Sequence, residues 1–74
     1  MSPSLPVVSG RAVVRALTKA GFAEVSQRGS HIKLRNGEGR TVIVPMHREL
    51  ARGTLRSILR QADLTAEALL GLVE

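Results

Sequence analysis

Apolar positions switch period along this chain of 74 residues, and each switch marks an element. From Gly10 the pattern is helical: Val13, Leu17 and Ala20, with Val14 beside them, recur at helical spacing, while Arg11, Arg15 and Lys19 form the opposite stripe at i, i+4, i+8. Ser9 offers a side-chain oxygen to cap the first turn, and Gly21 ends the helix. Residues 1–8 carry two prolines and no periodicity, which predicts an extended arm. From Phe22 to Val44 the period becomes two, in FAEVSQR, HIKLR and RTVIV, with Asn36-Gly37-Glu38-Gly39 as the turn between the last two. That pattern predicts a three-stranded antiparallel meander. In its second strand Ile32 and Leu34 share one face, and His31, Lys33 and Arg35 the other. If Val42 and Val44 point to the core, Ile43 points outward.

Pro45 stops the third strand. After the linker MHRELARG, Thr54 is the expected N-cap of a second helix that buries Leu55, Ile58, Leu59 and Ala62, and Thr65 caps a short final helix over AEALLGLV. The order α-β-β-β-α, with a short C-terminal helix, lets both longer helices cover the apolar face of one sheet. The expected architecture is therefore a two-layer α+β fold in a single domain over 1–74, with the other sheet face open.

Composition narrows the chemistry. The only aromatic residue is Phe22, so the core must be aliphatic and base stacking on an aromatic platform is disfavoured. There is no cysteine, and His31 and His47 are too few for a zinc cluster. No apolar run approaches the roughly 20 residues of a membrane span, and the opening MSPSLPVVSG has no charged n-region followed by an apolar one, so a soluble cytoplasmic protein is expected. The net charge of +5 is unevenly placed. All eleven Lys and Arg fall in residues 9–60 with only Glu24, Glu38 and Glu49 among them, whereas 61–74 hold Asp63, Glu67 and Glu74 and no cation. A surface so basic favours a polyanionic partner, nucleic acid ahead of membrane or acidic protein.

Two constellations could carry chemistry. In Arg28-Gly29-Ser30-His31 an outward histidine is flanked by Arg28, Lys33 and Arg35, an arrangement that places an imidazole beside a phosphodiester held by cations. Gly29 permits a tight turn or close approach of a sugar–phosphate backbone. The alternative is a solvated histidine in a basic patch. In Arg52-Gly53-Thr54-Leu55-Arg56-Ser57, cations occupy a first helical turn where the dipole prefers anions, a mismatch that a bound phosphate would relieve. Equally, Glu49 could neutralise one arginine and water the other. The Arg11, Arg15, Lys19 stripe reads first as a solvated face. His47 is either a second acid/base group or a loop residue held by hydrogen bonds. No Walker loop, GxGxxG, HExxH or GxSxG is present.

Several pieces together resemble the HicA family: Val8-Ser9-Gly10, Gly21-Phe22, Arg28-Gly29-Ser30-His31, Val44-Pro45-Met46-His47, and the run Gly53-Thr54-Leu55-Arg56-Ser57-Ile58-Leu59-Arg60-Gln61-Ala62. They span nearly the whole chain in family order. The resemblance implies a double-stranded-RNA-binding-like fold and a metal-independent ribonuclease, without cofactor, that inactivates messenger RNA. The family's catalytic histidine falls on His31, and Arg28, Gly29, Ser30, Lys33 and Arg56 become the candidates for holding RNA. The resemblance also implies a cognate HicB-like antitoxin that covers the histidine in a hetero-oligomer. Two other readings remain at this point: a non-catalytic RNA-binding module, since the fold class commonly reads A-form shape without cleavage, and a purely protein-binding basic surface.

Overall fold

Ser9 opens α1 (Gly10–Lys19) as expected: its Oγ accepts the Ala12 N–H at 3.0 Å, satisfying a backbone donor that the first turn leaves without a partner. The computed structural model describes residues 5–73, so the first four positions of the expected arm lie outside the described residues. Past α1 the chain reverses at Gly21 (φ +99°), a left-handed conformation suited to glycine. It then runs through β1 (Ala23–Arg28), β2 (His31–Arg35) and β3 (Thr41–Pro45), which form an antiparallel sheet in the order β1-β2-β3. Two helices follow, α2 (Arg52–Ala62) and α3 (Ala66–Leu70). Thr65 caps α3, its Oγ1 accepting the Ala68 N–H at 3.0 Å.

One face of the sheet carries the core. Ile32 pairs with Val44 and Leu34 with Val42, and this apolar surface packs against Val13, Ala16 and Leu17 of α1 and Leu55, Ile58 and Ala62 of α2. Leu69 of α3 and Phe22 complete the cluster. Each fully buried Leu, Ile or Val contributes about 1.5–3 kcal/mol relative to exposure. The expected α+β architecture, with helices on one sheet face, is the observed one.

Two elements differ from the expectation. First, α2 begins at Arg52 with Ala51 as N-cap and no side-chain capping bond, so Thr54 lies inside the first turn. The cause is tertiary: Leu50 is buried and donates its N–H to the Val8 carbonyl at 2.8 Å, which fixes the chain just ahead of Ala51 and starts the helix there. Leu59 is only partly buried. Second, β1 shows no alternation in burial, every one of its residues being exposed. The hairpin register sets Gln27 opposite Ile32 and Glu24 opposite Leu34, so β1 presents polar residues to the helix side and neither helix closes over it. A β-bulge between Glu24 and Ser26 adds to the departure from strict alternation.

The two edges of the sheet are treated differently. On β3 the Ile43 N–H, directed away from the sheet, donates to Gln61 Oε1 at 2.9 Å, and Gln61 is itself held by donating from Nε2 to Ser57 Oγ at 3.0 Å. Arg40 ties the same edge to the end of α2 by donating to the Gln61 and Arg60 carbonyls. Pro45 closes the strand without an N–H to offer. No strand or helix covers the outer edge of β1 among the described residues.

Three backbone bonds join distant segments behind β2. Met46 N–H donates to the Ser30 carbonyl at 2.6 Å, Gly10 N–H to the His47 carbonyl at 2.9 Å, and Leu50 N–H to the Val8 carbonyl. The approach at Gly10 is so close that a Cβ there would overlap the Pro45 carbonyl oxygen.

Candidate functional site

The connection between β1 and β2 is only Gly29-Ser30, and Gly29 has φ +58°. A positive φ at the first position of a two-residue loop matches the twist of paired strands and is inexpensive only for glycine. The turn sets Arg28 directly opposite His31, and Gln27 Nε2 steadies it by donating to the Gly29 carbonyl at 3.0 Å. Counting on from this pair, Ser26 faces Lys33, and Lys33 in turn faces Ile43 on β3. Ser26, Arg28, His31, Lys33 and Ile43 thus line one groove of about 280 Å³ on the sheet face away from the core.

His31 is exposed, and its imidazole makes no hydrogen bond among the described residues. Its backbone is fixed from behind by the Ser30–Met46 bond. Both ring nitrogens are therefore available to a ligand, with a guanidinium, an ammonium and a hydroxyl on neighbouring positions. Such a set can hold a phosphodiester and move a proton beside it. Ile43, 36% exposed, gives the groove an apolar wall.

The other residues singled out from the sequence fall elsewhere. Arg35 lies one row beyond the groove, where its Nε donates to Thr41 Oγ1 at 3.3 Å. Arg56 is exposed on α2, which packs against the core side of the sheet, and it does not line the groove. His47 uses its carbonyl, which accepts from Gly10, while its side chain borders a separate hollow with Ser9, Arg11, Met46 and Arg48. The first turn of α2 has neither an acidic residue nor a side-chain cap, so Arg52 and Arg56 remain where the helix dipole is unfavourable to cations. Ser26 is a groove residue that belongs to neither sequence constellation. The hairpin register counted back from Gly29-Ser30 is the signal that identifies it. Among the described residues no three of His, Cys, Asp and Glu gather where they could hold a metal ion.

A family model described as "HicA toxin of bacterial toxin-antitoxin" matches residues 10–64. The chain belongs to the HicA toxin family. That match runs from the start of α1 past the end of α2 and includes all five groove residues. A chain of a solved structure described as "Toxin-Antitoxin complex from Streptococcus pneumoniae" is 33% identical to this HicA-family chain, with a TM-score of 0.67, covering 77% of this chain and 98% of that one. Comparison with curated proteins gives no match. No helix of the described HicA-family chain is long and apolar enough to cross a membrane.

Proposed function

We propose that this HicA-family chain is the toxin of a toxin–antitoxin pair and acts as a metal-independent endoribonuclease on messenger RNA, with His31 as its catalytic residue. The observation that carries this reading is the groove itself: an imidazole without a partner among the described residues, on a tight two-residue hairpin, opposite Arg28 and two residues along the strand from the Ser26–Lys33 pair.

In the proposed reaction a neutral His31 nitrogen takes the proton of a ribose 2′-OH. The freed oxygen attacks the adjacent phosphorus, a 2′,3′-cyclic phosphate forms, and the bond from phosphorus to the 5′ oxygen breaks. The departing oxygen takes the proton back from the imidazolium, directly or through one bridging water, which restores the catalyst. Arg28 and Lys33 hold the phosphate and offset the charge that builds on its equatorial oxygens. In this reading Ser26 hydrogen-bonds the sugar–phosphate chain within the groove, Ser30 does so from the turn outside its lining, and Gly29 lets that chain approach the turn. Arg56, on the far layer, is left to hold flanking RNA. A protein antitoxin is the proposed partner, supported by the source of the structurally similar chain. A cytoplasmic location follows from a messenger RNA substrate.

The test is expression of wild type and His31→Ala from a tightly repressed promoter, following growth and the length of a reporter messenger RNA. The imidazole is exposed and outside the core, so the substitution should leave stability within about 0.5 kcal/mol, while cleavage falls by at least ~10²-fold. Intact RNA in the presence of folded wild-type protein would favour a non-catalytic RNA-binding module. Equal cleavage by both proteins would remove His31 from the reaction.

A further inference from the structure

A second groove lies on the opposite side of β1 from His31, between that strand and α1. It has a volume of about 340 Å³, a floor of Val14, Ile32 and Met46, and a rim on which Arg11 and Arg15 face Gln27 across the gap. Glu24 also borders it, yet neither Arg11 nor Arg15 makes a hydrogen bond or ion pair among the described residues. The groove runs alongside the uncovered edge of β1.

The register shows what that edge offers. Ile43 directs its N–H outward to Gln61, so Lys33, its partner, directs its own backbone groups toward β1 and bonds the Ser26 position. The next residue, Gln27, therefore turns its N–H and C=O away from the sheet. Val25, 48% exposed, stands beside it at the bulge. Edges are ordinarily blunted, and β3 is, by Gln61 and Pro45. Among the described residues the outer edge of β1 has no such side-chain cover, and its bulge between Glu24 and Ser26 leaves the Gln27 end as the stretch free to pair.

We propose that the outer edge of β1 and the α1–β1 groove together receive an extended acidic segment of a protein partner, added to the sheet as a fourth strand. Every second side chain of that segment faces the groove, and these are aliphatic where they reach the floor of Val14, Ile32 and Met46 and carboxylates where they meet Arg11 and Arg15. A backbone ladder needs a polypeptide, and an aliphatic floor without an aromatic ring gives bases nothing to stack on, so the surface fits a protein better than RNA. A second copy of this chain is disfavoured because each carries a net charge of +5. The inference rests on the proposed function only in taking the antitoxin as the natural bearer of the strand.

The experiment uses ¹⁵N-labelled full-length protein carrying His31→Ala and a synthetic octapeptide Leu-Thr-Glu-Thr-Leu-Thr-Glu-Thr, whose leucines and glutamates share one face of a strand, with the same peptide carrying lysine in place of glutamate as control. Saturable amide shifts in residues 23–28 and in α1, with slowed exchange at the Gln27 amide, are expected for the acidic peptide alone. Arg11→Glu/Arg15→Glu should weaken binding by on the order of ten-fold or more, whereas the charge-matched Arg52→Glu/Arg60→Glu variant should bind as the parent does. No saturable shift at millimolar peptide, shifts confined to the His31 groove, or equal binding by the Arg11/Arg15 variant would each overturn the proposal. So would the same residues responding to a single-stranded RNA oligonucleotide and not to the peptide. RNA shortening by the wild-type protein is read in a separate assay, so failure of the nuclease and failure of the docking surface are distinguishable.

Discussion

Replacing Gly10 with alanine adds one methyl group at a helix start, a change that ordinarily stabilises. An exposed helical Gly→Ala substitution gains about 0.5–1 kcal/mol through reduced chain entropy and better propensity. Here the added carbon would overlap the Pro45 carbonyl oxygen and lie 3.0 Å from Met46 Cα, and both obstacles are backbone. Neither can rotate away, so α1 or the β3–α2 loop must shift, at a cost of about 1–3 kcal/mol as for an overpacked core. The net expectation is a loss of roughly 1–2 kcal/mol, against a total stability of roughly 4–11 kcal/mol for a domain this size. At about 4–8 °C per kcal/mol, Tm should fall by roughly 5–15 °C. Gly53 is the internal control: it lies in the first turn of α2 with nothing within 4 Å of an added Cβ, so Gly53→Ala should raise Tm by a few degrees. Both variants are best made in the His31→Ala background and followed by circular dichroism at 222 nm. A Gly10→Ala protein at least as stable as its parent would refute the close approach of α1 to Pro45 and, with it, the account of how the loop behind β2 is held.

Removing the edge cover of β3 with Gln61→Ala should cost about 0.5–1.5 kcal/mol, because the Ile43 N–H loses its acceptor. The same variant should exchange its Ile43 amide proton faster, and unchanged exchange at unchanged stability would contradict the protective role of that side chain. In the groove, Arg28→Ala and Lys33→Ala should each slow cleavage of a labelled RNA and flatten its dependence on salt, since each removes one phosphate contact. Arg56→Ala should do less than either, because α2 places that residue away from His31. An Arg56 effect equal to that of Arg28 would mean that RNA wraps around both layers.

Features governed by near neighbours along the chain are legible in the sequence alone. Ser9 and Thr65 cap their helices through contacts three residues away, and the alternation in His31–Arg35 reports a strand with one wet and one dry face. Gly29 and Gly39, with its φ of +83°, lie at the turns their spacing marks. Features that depend on distant partners are not legible in this way. Thr54 is the better capping residue by type, yet buried Leu50 and its bond to Val8 set the helix start at Arg52. The alternation of 22–28 suggests a half-buried strand, but the hairpin register turns Glu24 and Gln27 toward the helices, and polar residues there leave β1 uncovered. Arg56 and Arg28 look equivalent as cations in the sequence. Only the layering separates them.

The three bonds behind β2 have a consequence for the order in which the groove is assembled. The Gly29-Ser30 hairpin is local and can form as soon as β1 and β2 exist, with Arg28 and His31 already opposite one another. Its final setting waits for Met46 to reach the Ser30 carbonyl, for His47 to accept from Gly10, and for Leu50 to close onto Val8, so the two ends of a long chain segment must meet. Closing such a loop is slow relative to forming a hairpin. The histidine thus belongs to an early unit locked by a late one, and a cut in the loop 46–51 would loosen that lock although every groove residue lies on the segment before the cut.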